Sequence, residues 1–363
     1  MNIAGAHLTY CTNIHPGESW AEVRANLERH TVAVKARVAP DRPFGVGLRL
    51  SARAADELVL GELERLLARE DMYVFTINGF PHGTFHGTPV KEDVYRPDWR
   101  EPARVAYTNR LADLLVELLP DGVAGSISTV PGCFRARGGH DDVMADNLMR
   151  CADYLAQLEA RTGKRITLAL EPEPCCVIET VAEAIAFFAG LPERHHLGLC
   201  LDACHAAVEF EQLPAALAAL RAADLPIAKV QLSAGLQIAP VTTEQRTALA
   251  AYADSVYLHQ VVARTGDQLE RYVDLPEALA RAGQGEDEWR VHFHVPIFRA
   301  ELGAFASTQA FLAELLALHR AAPIAPHLEV ETYTWDVLPS ALRDEPIADA
   351  VARELHWVME RLA

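Results

Sequence analysis

Half of the 363 residues are apolar and the formal charge is −17 at pH 7, so the chain can bury a large core and carries no overall attraction for nucleic acid. The first positive side chain is Arg24 and no unbroken apolar run approaches a membrane span, so neither a signal peptide nor a membrane helix is expected. Seven cysteines, an odd number without Cys-x-x-Cys spacing, argue for a cytoplasmic chain lacking a disulfide framework.

Residues 1–10 read as a first strand, followed by a loop holding Cys11, Asn13 and His15. Ser19 with Glu22 three residues later forms a capping box for the first helix. Residues 44–50 form a second strand, 54–69 a helix and 73–78 a third strand, the alternation of a parallel α/β architecture. A long Gly- and Pro-rich loop then runs from 79 past Tyr95 and Trp99. Its His82 and His86 are candidates for substrate contact or a second metal, and equally fit ordinary surface histidines. A helix over 101–119 leads to a strand over 124–130, and the next loop offers Arg135 and Arg137 as a clamp for phosphate or carboxylate. A helix over 141–161 precedes the next strand, and Thr180 with Glu183 caps the helix after it.

Several strands end in residues able to bind a metal. In Thr167-Leu-Ala-Leu-Glu171, the small-residue face ends in Glu171; in Gly198-Leu-Cys-Leu-Asp202, it ends in Asp202, with His205 three residues on. The alternative for this pair is a helix-capping aspartate and a loop histidine. Alternation over 227–233 turns Lys229 and Gln231 to the same side. Two further stretches pair His292 with His294 and Glu329 with Glu331. Such endings describe the rim of a parallel barrel, whose chemistry lies at the carboxyl ends of its strands. Residues 254–285 read as a β-hairpin with a Gly-containing turn and a short helix, inserted over the barrel mouth in the C-terminal third. Helices over 307–320 and 346–362 complete the chain. With nine strand candidates for eight places, the His292 to His294 segment should lie outside the barrel or at its rim.

The run Gly198-Leu-Cys-Leu-Asp-Ala-Cys-His-Ala206 resembles the Asp-Thr-Cys-His-Ala signature of the endonuclease IV branch of the xylose-isomerase-like TIM barrels. The spaced Glu, Asp-x-x-His and final Glu are shared more widely by that superfamily's sugar isomerases and epimerases. The ending Leu328-Glu-Val-Glu-Thr-Tyr-Thr-Trp335, with the His292-Phe-His-Val-Pro segment before it, looks most like the EboE group of metabolite-traffic proteins. This resemblance implies one (β/α)8 TIM-barrel domain over 1–363 that acts as a divalent-metal-dependent isomerase or epimerase of a sugar, sugar phosphate or cyclitol. Glu171 and Glu331 would exchange the proton while also serving as ligands, with Asp202 as a purely coordinating carboxylate. Many relatives have a histidine ligand where this chain has Gln231, so either His294 replaces it or the ion is held less tightly. An oxygen-rich set favours manganese or magnesium, with zinc as the alternative. His205, Lys229, His82, His86 and Arg135 are the expected substrate contacts. The partners this allows are a small polyol or sugar-like molecule and a second copy of the chain, without nucleic acid or membrane. Two other functions stay open: a non-catalytic metabolite binder, and an endonuclease IV-like zinc phosphodiesterase, which the negative charge disfavours.

Overall fold

The computed structural model describes residues 1–363 except 140, 141, 193 and 282–284. Eight parallel strands follow one another round a closed barrel: Ala6–Tyr10 (β1), Phe44–Arg49 (β2), Met72–Asn78 (β3), Gly125–Thr129 (β4), Ile166–Leu170 (β5), Leu197–Asp202 (β6), Ile227–Leu232 (β7) and His327–Val330 (β8). β8 pairs with both β7 and β1. The circle closes between β1 and β2 through a single parallel bridge, Cys11 to Gly47, and through the Thr9 hydroxyl. That hydroxyl donates to Gly45 O at 2.7 Å and accepts from Gly47 N at 3.0 Å, taking the place of absent ladder bonds.

The strands form because β-branched and leucine side chains cover an outer face packed on helices, while small residues line the inside. The helices begin where the caps predict: Ser19 and Thr180 each accept from the backbone of the glutamate three residues on, which reaches back to the cap. Two expectations need correction. Residues 1–10 are not one strand, because Ala4 and Gly5 take positive φ and fold Asn2–Ile3 back antiparallel on β1. The helix expected over 54–69 is two, Ala52–Glu57 and Leu60–Arg69. The expected start of the next long helix at Asp141, with His140 before it, lies outside the described residues; that helix is described over Asp142–Thr162.

Between β7 and the helix Gln309–Ala321 the chain builds a second, antiparallel sheet of six strands within 236–307. The hairpin Val261–Thr265 with Gln268–Tyr272 is part of it, and the short helix Leu275–Arg281 follows. The flanking strands Leu236–Ile238, Glu301–Leu302 and Phe305–Ser307 have only two or three residues, too few for alternation to announce them. Glu288–Val291 pairs with both Leu236–Ile238 and Val261–Thr265, which places the His292 to His294 segment outside the barrel strands. No described helix is long and apolar enough to cross a membrane.

Inside the barrel, Lys229 and Glu329 form a fully buried ion pair at 2.6 Å. Glycine at 47 makes room for it: a Cβ there would stand 1.8 Å from Glu329 Oε1 and 2.7 Å from Tyr10 O. We expect Gly47→Ala to lower unfolding free energy by about 1–3 kcal/mol, as overpacking does, whereas Gly61→Ala, whose Cβ meets nothing closer than 3.7 Å, is tolerated. Urea denaturation of both variants checks this.

Candidate metal centre and active site

Glu171 and Glu331 stand one residue beyond β5 and β8, and Asp202 is the last residue of β6. Their carboxylate oxygens lie within 4.8 Å of one another, buried at the carboxyl end of the barrel. Asp202 does cap the helix Ala203–Val208: its Oδ1 accepts from His205 N at 2.9 Å and from the Ser233 hydroxyl at 2.7 Å. Its Oδ2 has no hydrogen-bond partner. The capping and coordinating roles therefore belong to different oxygens of one carboxylate.

Glu331 Oε1 accepts from Asn13 Nδ2 at 2.7 Å and from Asn78 Nδ2 at 2.9 Å, which fixes the group and points Oε2 elsewhere. Glu171 Oε2 and both amide atoms of Gln231 are buried without partners. Strand register sets Gln231 beside Asp202 on one side and Glu329 on the other. So many unpaired buried oxygens would be costly in a bare protein core, and they suit a hard, oxygen-loving dication. The residues fit the ion that the resemblance implies.

Burial, then repulsion from Glu331 and Asp202, raises the Glu171 carboxyl well above the carboxylate range. Burial, then Asp202 and Glu329, does the same to Glu331. Burial also raises Asp202, but the His205 and His294 imidazoles, the Ser233 hydroxyl and the His205 amide outweigh it and hold the group low. Burial lowers His294 to about 4, so its imidazole is neutral.

His294 joins Asp202 and His205 rather than Glu171 and Glu331, its Nε2 lying 3.9 Å from Asp202 Oδ2. His294 Nε2 and both amide atoms of Gln231 lack hydrogen-bond partners, and both residues neighbour Asp202. A cavity opens over Glu171, Glu331 and His205. Its walls are aromatic: Phe80 packs on Tyr95, and Phe85, Tyr257 and Tyr333 pack on one another.

Other expected substrate contacts lie elsewhere. Lys229 is fully buried in the barrel interior with Glu329 and does not line this cavity. Arg135 does clamp carboxylates, but those of Glu179 and Glu183. His82 packs edge-on against Tyr107 and lines a separate surface depression. His86 stands behind the cavity wall, donating to Asn13 O at 2.6 Å and accepting from the Tyr257 hydroxyl at 2.9 Å. It positions two lining residues and touches the site through them. Sequence reasoning passed over Glu173, Asn78, Tyr95 and Gln260. Asn78 ends β3 as Asp202 ends β6, so the same parity could have found it; Glu173 and Gln260 lie in irregular segments and Tyr95 ends a short 3-10 helix, with no period to read.

A family model described as the xylose isomerase-like TIM barrel matches residues 40–275, and the chain belongs to this family. No curated protein sequence matches significantly. Among solved structures, L-ribulose 3-epimerase is 14% identical with a TM-score of 0.53, over 98% of this chain and 95% of that one. D-allulose 3-epimerase from Methylomonas sp., in complex with D-allulose, is 14% identical with a TM-score of 0.51, over 98% of this chain and 97% of that one. At such identity these matches establish the fold alone.

Two outcomes are expected. Asp202→Asn keeps a capping oxygen but loses the charge, so the protein should remain folded by circular dichroism while its metal content falls at least about tenfold. Because Glu171 and Glu331 hold protons above the usual carboxylate range, and a dication needs them ionised, metal affinity should rise with pH. Calorimetric titration in buffers of different ionisation enthalpy should show protons released as the ion binds.

Proposed function

We propose that the protein is a divalent-metal-dependent epimerase or isomerase of a sugar or cyclitol, acting by proton transfer between Glu171 and Glu331. The observation that carries this reading is the convergence of these two carboxyls, which line one aromatic-walled cavity, with that of Asp202. The solved epimerases of the same fold support it by analogy.

Glu171, Asp202, Glu331 and Gln231 would hold the ion. Such an ion would supply Lewis acidity to the substrate. One glutamate accepts the proton from the carbon beside the carbonyl, leaving an enediolate, and the other donates a proton to complete the exchange. Their raised affinity for protons suits groups that take up and give back a proton. Asn13 and Asn78 hold the Glu331 carboxyl still while it acts. The aromatic walls offer flat apolar faces to the C–H side of a ring and exclude water.

Among the described residues, Lys91 is the one lysine or arginine lining the cavity. Its three donors are taken by Asp254 O, Tyr257 O and Asp274. A phosphate would find no free cation, so the reading favours unphosphorylated substrates over sugar phosphates. The same lack of free positive charge speaks against the phosphodiesterase alternative. Seven buried cysteines, an odd number without Cys-x-x-Cys spacing, fit a reducing compartment, and we place the protein in the cytoplasm.

Gln231 in place of a stronger ligand favours a second reading, a non-catalytic metabolite-traffic protein of the EboE type. Solvent-deuterium incorporation into ketoses and inososes separates the two. The enzyme reading expects exchange by the wild type, reduced roughly 10²–10⁴-fold in Glu171→Gln and in Glu331→Gln, as loss of one general acid or base predicts. No exchange by the metal-loaded wild type on any member of the panel would favour the binder.

A further inference from the structure

The wall of the cavity contains a stretch that is held by one neighbour only. Before it, the loop after β3 is tied to the barrel: Arg49 donates to Gly83 O at 2.6 Å, Phe85 N donates to Glu18 Oε1 at 2.8 Å and His86 donates to Asn13 O at 2.6 Å. After it, the Tyr95 hydroxyl is tied to Glu173. In between, every hydrogen bond from residues 88–94 to a distant part of the described chain goes to the inserted segment. Val90 N and Lys91 N both donate to Val256 O, at 2.7 and 3.0 Å. Lys91 Nζ donates to Tyr257 O at 2.6 Å, to Asp274 Oδ2 at 2.7 Å and to Asp254 O at 3.2 Å.

The packing follows the same division. Phe85, Val90 and Tyr257 form a small hydrophobic cluster apart from the main core, with Val94, Val256 and Tyr333 against it. Lys91 takes φ +42°, in the left-handed region that glycine or asparagine enters more readily, and its three charge-assisted bonds offset that cost. Gly87 takes φ +75°, and a Cβ there would meet nothing within 4 Å, so the stretch starts at an unpacked pivot.

The stretch is also thin. Pro81 and Val94 line both the cavity and a depression on the outer surface. Thr88, Pro89 and Val90 line the depression alone, whereas Lys91 lines the cavity alone. Turning residues 88–94 outward about Gly87 would therefore join the depression to the cavity and open a path to His205 and His292, both buried as the chain stands.

We infer that residues 88–94 are a flap that closes the cavity, and that Lys91 is the positioning residue that latches it to the inserted segment. The three partners of Lys91 lie on both sides of the hairpin: Asp254 and Tyr257 precede Val261–Thr265, and Asp274 follows Gln268–Tyr272. One ammonium group therefore engages only when the base of the hairpin is assembled. The inference needs the cavity but not the proton transfer read into it.

Lys91→Met keeps the apolar stem and removes the three donors. Hydrogen exchange followed by mass spectrometry should show the peptide holding Val90 and Lys91 exchanging at least about tenfold faster in the variant, with the barrel strands unchanged. Diethyl pyrocarbonate, which acylates neutral imidazole, reads the opening directly. In the chelator-treated full chain, His205 and His292 should be modified at least about tenfold faster in Lys91→Met than in the wild type. The exposed His356 should react equally in both. Asp274→Asn removes the charge of one partner; it should shift both readouts the same way by a smaller factor, and it serves if Lys91→Met misfolds by circular dichroism. Unchanged modification of His205 and His292 in a folded variant overturns the flap, whatever metal or substrate the cavity takes. Faster exchange spread evenly through the barrel strands also overturns it, because Lys91 would then serve stability alone.

Discussion

Four carboxyl groups, those of Glu171, Glu173, Asp202 and Glu331, are buried at one end of a closed barrel, and their mutual repulsion is the constraint to which the rest of the molecule answers. At an effective dielectric of about 20, two unit charges as far apart as 4.8 Å repel by roughly 3–4 kcal/mol. The fold offsets this in three ways. Donors from Asn13, Asn78, Ser233 and Tyr95 each take one oxygen. The proton affinity of Glu171 and Glu331 is raised, which favours their neutral forms. Deeper inside, Lys229 neutralises Glu329, so that a fifth carboxylate does not add to the crowd. What remains uncompensated is a set of single oxygens, one each on Glu171, Glu173 and Asp202. A core that needed only stability would not retain them.

The same groups that fold the chain also aim the site. Asp202 Oδ1 starts a helix, and this is what turns Oδ2 inward; an aspartate free to rotate would do neither. His294 donates Nδ1–H to the Glu331 carbonyl at 2.9 Å, so the backbone that carries one candidate catalytic residue sets the tautomer of a neighbouring imidazole. His86 ties Asn13 to Tyr257, joining the donor that orients Glu331 to the aromatic wall. Because each link serves two ends, a substitution behind the wall should disturb the site as well as the packing.

What could be read from the sequence was whatever the barrel repeats. Glu171, Asp202 and Glu331 close short alternating runs, and the strand period alone assigns them to the inside. Capping boxes at Ser19 and Thr180 were legible for the same reason, since their partners are three residues away. Glu173 was not, because it follows two residues after Glu171 in a Pro-rich segment where parity no longer holds. Lys229 shows the opposite failure: parity puts it inside, but it says nothing of depth, and Glu329 one strand away meets it first. Arg135 and His82 were chosen for loop chemistry, and loops carry no register that says which partner they meet. The short strands that complete the antiparallel sheet are specified by pairing with distant segments, a property no local window contains.

That sheet explains why the site departs from a barrel built of eight simple units. The strand ends supply Asp202 and, one residue past their strands, Glu171 and Glu331, all oxygen donors. β7 offers the neutral Gln231 instead of a nitrogen. The inserted segment then returns with His292 and His294, placed by the pairing of Glu288–Val291 with Val261–Thr265 and Leu236–Ile238, and their rings approach His205 at 4.4 and 5.9 Å. Nitrogen missing from the barrel is thus restored beside it, displaced from the three carboxylates towards Glu173.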